Sequence, residues 1–218
     1  MRGRLSRRHW LAHCSLLFLA SPLHAQTALS KVLVVGDSLS AEYGLARGAG
    51  WVALLEARIA QERLPAAVVN ASISGDTTAG GRARLAPLLK QHRPSVVVLE
   101  LGGNDALRGL TLASAEANLR AMAQAAKAAG ARVVVVGMQV PPNYGRKYSE
   151  DFAALFVRVA RSEDAALVPF LLKGVADSAD AEANFQPDRI HPKAGVQTRM
   201  LDNVWPVLRP LLAARARA

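Results

Sequence analysis

The 218-residue chain is poor in cysteine and in aromatic side chains: one Cys, and 5% Phe, Trp and Tyr together. The single cysteine, Cys14, lies in a segment that reads as an export signal. "MRGRLSRRHW" carries four arginines and no acid, "LAHCSLLFLASPL" is a short apolar core broken by His13 and Pro22, and "LHA" ends in a small residue. We expect cleavage after Ala25, with residues 1–25 as signal peptide and 26–218 as one exported, periplasmic domain. "SRRHWL" leaves Sec and twin-arginine export both open. The rest of the chain has no apolar run long enough to span a bilayer.

Each scarcity excludes a chemistry. Without Cys14 the mature chain has no disulfide, no thiol nucleophile and no thiolate metal ligand. Three of the five histidines leave with the signal, and His92 and His191 are too few for a three-histidine zinc site. We expect neither metal nor cofactor. The net charge falls from +10 to +6 once Arg2, Arg4, Arg7 and Arg8 are gone, and the remaining basic residues are scattered. No basic stripe interleaved with stacking aromatics is present, so nucleic acid is not an expected partner. A transient contact with an anionic lipid surface remains allowed.

What the chain has is apolar mass, 51% of its residues, mostly Ala, Leu and Val. From Lys31 onward it alternates strand and helix. Continuous apolar runs at 31–36, 66–72, 94–102, 131–139 and a weaker one at 165–170 read as strands buried on both faces. Helical spacing marks 50–64, 77–92, 112–130, 149–164 and 194–216. Asp76 or Thr77 stands at the start of the second helix, Gly130 closes the third, Ser149 caps the fourth, and Pro206 bends the last. This pattern predicts an α/β protein: a three-layer α/β/α sandwich around a mostly parallel five-stranded sheet in the flavodoxin-like order.

The chemically unusual residues follow the apolar runs. Asp37 and Ser38 come after the first, Ser74-Gly75-Asp76 after the second, and Gly102-Gly103-Asn104-Asp105 after the third. Asp188 and His191 lie in "QPDRIHPKAG", before the last helix. Parallel strands bring these loops to one edge of the sheet, where α/β enzymes place their sites. Ser38 has two readings, as a helix cap or as a nucleophile, and a helix N-terminus would serve both. His191 is the stronger candidate base, since His92 sits at a helix end where it can face the last carbonyls. Asp188, three residues before His191, can hold the imidazole in one tautomer, or it can simply cap a turn. The N–H groups of Ser38 and Gly75 and the Asn104 amide could receive a developing oxyanion; each could equally be a turn residue.

Taken together, "GDSLS" (36–40), "NASISGDTT" (70–78), "LGGNDALRG" (101–109) and "DRIHP" (188–192) resemble the four sequence blocks of the GDSL, or SGNH, hydrolases. "GWVALL", "ISGDTTAGG" and "GMQVPPNYGRKY" are similar to the branch of periplasmic multifunctional thioesterases, arylesterases and lysophospholipases. The resemblance spans the whole mature domain. It implies Ser38 as nucleophile, Asp188 and His191 as the rest of a triad, and Ser38, Gly75 and Asn104 as an oxyanion hole. It gives Asp37 no chemical role; orienting its loop is the expectation. Arg189 departs from the branch, which often has a small residue there.

The function expected is hydrolysis of acyl esters or thioesters, including lysophospholipids, through an acyl-enzyme on Ser38 in a monomer. A carbohydrate O-acetylesterase would share the triad and differ in the pocket. A non-catalytic small-molecule binding module is the third possibility, although "GDSLSAEYGL" offers no G-x-G-x-x-G or G-K-[ST] phosphate cradle. Leu107, Leu110 and Tyr144 are the expected substrate contacts.

Overall fold

The computed structural model describes residues 29–213. The expected signal peptide, with its cleavage point, and the last residues of the final predicted helix lie outside that range.

Five apolar runs form one parallel sheet. β1 (Ser30–Gly36), β2 (Ala66–Asn70), β3 (Val96–Glu100), β4 (Arg132–Val136) and β5 (Ala166–Val168) are ordered β2-β1-β3-β4-β5. Every pairing is parallel. The interior strands β1, β3 and β4 are almost wholly buried, which is why their central residues are consecutive Val and Leu rather than alternating. The connecting helices are α1 (Trp51–Gln61), α2 (Thr78–His92), the short α3 (Gly103–Leu107), α4 (Leu112–Ala128), α5 (Arg146–Ser162), the four-residue α6 (Ala181–Asn184) and α7 (Gln197–Ala213).

The layers follow from handedness. The chain steps from β1 out to β2 and then back across β1 to β3, so right-handed crossovers put α1 on one face and α2, α4 and α5 on the other. Accordingly α2 packs on α4 and α4 on α5, while α7 returns to pack on α1. The core on both faces is aliphatic, with Trp51, Phe152 and Phe156 as its largest fully buried rings.

Differences from the sequence reading have local causes. β2, β3, β4 and β5 are shorter than their apolar runs, because residues beyond the strand ends turn into the loops at the sheet edges. Thr77 caps α2, accepting from the Gly80 N–H, and Gly130 follows α4 in the left-handed region, both as expected. Ser149 does not cap α5. That helix begins one turn earlier, at Arg146 after Gly145, and the Ser149 hydroxyl donates back to the Gly145 carbonyl at 3.0 Å. The earlier start extends an aromatic ladder along the helix, Tyr144 on Tyr148, Tyr148 on Phe152 and Phe152 on Phe156, at centroid spacings of 5.8, 6.3 and 5.2 Å. The last helix continues through Pro206 and Pro210 to Ala213, after a 3₁₀ turn at Ala194–Val196.

The largest correction concerns Ser38. No helix starts there. Residues 38–44 form consecutive turns, and α1 begins only at Trp51. The N–H groups of Ser40 and Ala41 return to the Asp37 carbonyl at 3.2 and 2.9 Å, and Tyr43 N–H to the Ser38 carbonyl at 3.3 Å. Ser38 therefore caps no helix, and its loop borrows no helix dipole.

Candidate active site

Strand register brings the loops together. Gly36, the last residue of β1, pairs with Glu100, the last residue of β3. The turn carrying Ser38 and the loop carrying Asn104 therefore leave the sheet side by side. On the other flank Ile73 N–H donates to the Gly36 carbonyl at 3.0 Å, so the segment leading to Gly75 runs along the same strand end.

Ser38, half-buried, directs its hydroxyl to His191: Oγ to Nε2 is 2.8 Å. His191 Nδ1 is 2.7 Å from Asp188 Oδ2. With Nδ1–H donating to the carboxylate, Nε2 is free to accept the serine proton. Asp188 also receives the backbone N–H groups of Ile190 (2.9 Å) and His191 (3.0 Å) on its other oxygen. Burial alone would raise this carboxyl. The backbone and ring N–H of His191 and the Ile190 N–H outweigh it and bring Asp188 down to about 2, so it is ionised throughout the neutral range.

The Asp188–His191 segment is a tight hairpin built from short-range bonds. Gln186 N–H donates to the His191 carbonyl at 2.8 Å, Arg189 N–H to the Gln186 carbonyl at 2.9 Å, and Lys193 N–H to the Asn184 carbonyl at 2.8 Å. Phe185 and Pro192 form an isolated antiparallel bridge across its base. Arg189 sits in the left-handed region with φ 59°, a turn position that favours Gly or Asn. Two contacts tie the hairpin to the Ser38 loop. Gln186 Nε2 donates to the Tyr43 carbonyl at 2.9 Å, and the Tyr43 ring packs on the His191 ring at 4.3 Å between centroids.

The expected oxyanion donors lie on two adjacent loops and in the first turn of α3. Gly75 has φ 78°, which a side chain would strain. Its carbonyl accepts from Arg108 Nη2 at 2.7 Å. Arg84, on α2, binds Asp76 at 2.7 Å and also reaches the carbonyls of Ala71 and Gly36, so one guanidinium joins the ends of β1 and β2 to the Gly75 loop. Asn104 lies in α3, and its Nδ2 donates to Asp37 Oδ2 at 3.1 Å, leaving its second N–H for a ligand. Asp105, next in sequence, accepts from Thr78 N–H at 2.8 Å and Thr78 Oγ1 at 2.6 Å, locking α3 to the start of α2.

Asp37 is bonded both to its own turn and to Asn104. Its Oδ1 receives the Leu39 N–H at 3.0 Å and its Oδ2 the Asn104 amide. Burial raises this carboxyl to about 6 against the pull of Leu39, His191 and Asn104. Leu107 and Leu110 lie exposed just beyond Asn104. Tyr144 is farther along the edge, stacked on Tyr148, whose phenol is raised by burial and by the neighbouring Tyr144 and Asp105. No contact with the triad joins Tyr144 to the site. Sequence reasoning missed Gln186, Tyr43, Arg84, Arg108 and Glu100. Tyr43 carried a signal, an aromatic inside the nucleophile block, whereas Glu100 hid inside an apolar run. Among the described residues, no cluster of three His, Cys, Asp or Glu side chains is placed to hold a metal ion, and no helix is long and apolar enough to cross a membrane.

Comparison with known proteins converges on one group. A family model described as the GDSL-like lipase/acylhydrolase family matches residues 34–197. Esterase TesA of Pseudomonas aeruginosa is 53% identical over 190 residues, covering 87% of this chain and 93% of that protein. Thioesterase 1/protease 1/lysophospholipase L1 of Escherichia coli K12 is 40% identical over 200 residues, covering 92% and 93%. A crystal structure of TesA matches with a TM-score of 0.80 at 53% identity, over 84% of this chain and 99% of the other.

Proposed function

From the premise that this chain belongs to the GDSL-like lipase/acylhydrolase family, we propose that it hydrolyses acyl esters and thioesters through an acyl-enzyme on Ser38. The observation that carries this reading is the continuous relay of 2.8 Å from Ser38 Oγ to His191 Nε2 and 2.7 Å from His191 Nδ1 to Asp188. In the first step Ser38 Oγ attacks the acyl carbonyl carbon as its proton passes to Nε2. Asp188 stabilises the imidazolium without taking the proton. The carbonyl oxygen becomes an oxyanion, received by the N–H groups of Ser38 and Gly75 and the free Asn104 amide N–H. Collapse expels the alcohol or thiol, which leaves with the Nε2 proton. Water then repeats the sequence on the acyl-serine, with His191 as base, and releases the acid.

Because no helix starts at Ser38, the oxyanion donors act as individual N–H dipoles, two on loops and one on the side chain of Asn104 in the short α3. Ser38→Ala should lower p-nitrophenyl ester turnover by at least about 10³-fold and abolish labelling by a fluorophosphonate. Asn104→Ala should lower it by about 10²–10³-fold. Wild-type turnover in purified, folded Ser38→Ala would remove the assignment.

The exposed apolar side chains support a lipid-like substrate held at the sheet edge. Tyr43, Ile73, Leu107, Leu110 and Ile190 all stand within a few residues of the proposed catalytic groups. Leu107 and Leu110 are placed to meet an acyl chain, with Tyr144 farther out, and the same rim suits transient contact with a lipid surface. All proposed catalytic groups come from one chain, which supports a monomer as the active species. Residues 1–25 have the composition of a secretory signal, so the working enzyme is periplasmic and starts at Gln26. The mass of the chain recovered from a periplasmic extract checks this, and an intact Met1 would refute it.

A further inference from the structure

Glu100 is the last residue of β3, wholly buried, and the mechanism above makes no use of it. Its Oε2 accepts the Ser40 hydroxyl at 2.6 Å and, at a longer 3.4 Å, the Asp37 N–H. Its Oε1 is buried with no hydrogen-bond partner. Burial first, and the neighbouring Asp37 second, raise this carboxyl well above the ordinary glutamate range. A buried carboxyl with an unmatched oxygen is a poor element of stability; a well-packed leucine would serve a strand end better. What it touches gives it another purpose, because both of its partners belong to the turn that carries Ser38.

The surroundings are shaped for this contact. Gly36, paired with Glu100 across the sheet, has no side chain, and a Cβ there would come within 2.7 Å of Ser40 Oγ and 2.8 Å of Glu100 Oε2. The Ser40 carbonyl is held from the other side by Asn70 Nδ2 at 2.7 Å. Asp37, whose N–H faces Glu100, turns its carboxyl to Leu39 and Asn104. One buried carboxyl therefore lies beneath both the nucleophile and the residue that aims an oxyanion donor.

We propose that Glu100 is a positioning residue for acyl transfer, fixing the Asp37–Ala41 turn through Ser40 and so setting the place of Ser38 and, by way of Asp37, of Asn104. The proposal rests on Ser38 as nucleophile. Activity surviving in Ser38→Ala would end both readings, whereas Glu100 variants that behave as wild type beside an inactive Ser38→Ala would end this one alone.

The test measures kcat and KM for p-nitrophenyl butyrate, and the rate of fluorophosphonate labelling, in the full chain. Glu100→Leu removes the contact from below and Ser40→Ala from above. Each should lower kcat and labelling by about 10–100-fold, the scale of a small misplacement of reacting groups, with KM within about twofold. The double variant should be no worse than Glu100→Leu, because both remove one contact. Glu100→Gln keeps a side-chain oxygen for Ser40 and should recover most of the loss. Ser40→Ala removes only a hydroxyl and decides the matter even where Glu100→Leu does not fold. Folded Ser40→Ala with wild-type kcat and labelling rate would overturn the proposal, as would a Glu100→Gln no better than Glu100→Leu or single losses that multiply in the double variant.

Discussion

Asp37 and Asp188 are both carboxylates of the site, yet pH moves them in opposite senses. Asp37 is raised from 3.8 to about 6 by burial. The folded state then binds its proton more tightly than the unfolded chain, so stability falls as pH rises from about 4 to 6. The full difference is about 3 kcal/mol, at about 1.4 kcal/mol per unit. Asp188, lowered to about 2 by its His191 and Ile190 donors, does the reverse. It contributes stability above the ordinary carboxylate range, lost as pH falls from about 4 towards 2. In Asp37→Asn the first dependence should vanish. Relative to wild type, its unfolding free energy from denaturant titration should be larger (the variant more stable) at pH 7 than at pH 4, by up to about 3 kcal/mol. An equal difference at both pH values would contradict the assignment. At Arg189, by contrast, a left-handed backbone under a long side chain carries local strain of about 1 kcal/mol.

Among the elements, the hairpin at 185–192 is the most lightly attached part of the site. Its base is closed by the Phe185–Pro192 bridge, and Gln197 reaches its Pro192 carbonyl. It meets the Ser38 turn through Gln186 on the Tyr43 carbonyl, the Tyr43–His191 ring contact and the His191–Ser38 bond, and Asp188 to Ile190 are all exposed. The turn bearing Ser38, in contrast, sits on the buried ends of β1 and β3. The two halves of the proposed triad are therefore expected to have unequal local stability. On heating, esterase activity should be lost a few degrees below the midpoint of the far-ultraviolet circular dichroism transition, and regained on cooling from that window. Coincident midpoints would show that the hairpin opens only with the sheet. The same contrast explains what could be read in advance. Apolar runs identify β1, β3 and β4 directly, because strands buried on both faces tolerate little else. The Asp188–His191 pair was legible because a three-residue spacing closes within one turn. The false helix at Ser38 arose because Asp-Ser after a strand is also a capping signal, and only the bonds back to the Asp37 carbonyl show consecutive turns. Glu100 was invisible for another reason: its meaning depends on pairing with Gly36, a register fixed by the assembled sheet.

At the scale of the whole molecule, the order β2-β1-β3-β4-β5 carries the site. Crossing from β1 out to β2 and back to β3 opens the edge where α1 and α2 leave opposite faces, and Ser38, Gly75 and Asn104 stand around that opening. The final segment then brings His191 and Asp188 to it, with α7 anchored on α1. Fold class, strand order and the edge bearing the chemistry were all legible from the alternation of runs and loops; the bracing by Arg84, Asp105 and Gln186 was not, since each joins elements distant in sequence. The 153-residue separation between Ser38 and His191 also has a meaning in time. During synthesis the proposed nucleophile emerges well before its proposed base. Until α7 has packed, the chain has a serine with no base to activate it. On the proposed mechanism, acyl transfer is then withheld from a nascent chain that has not yet reached His191.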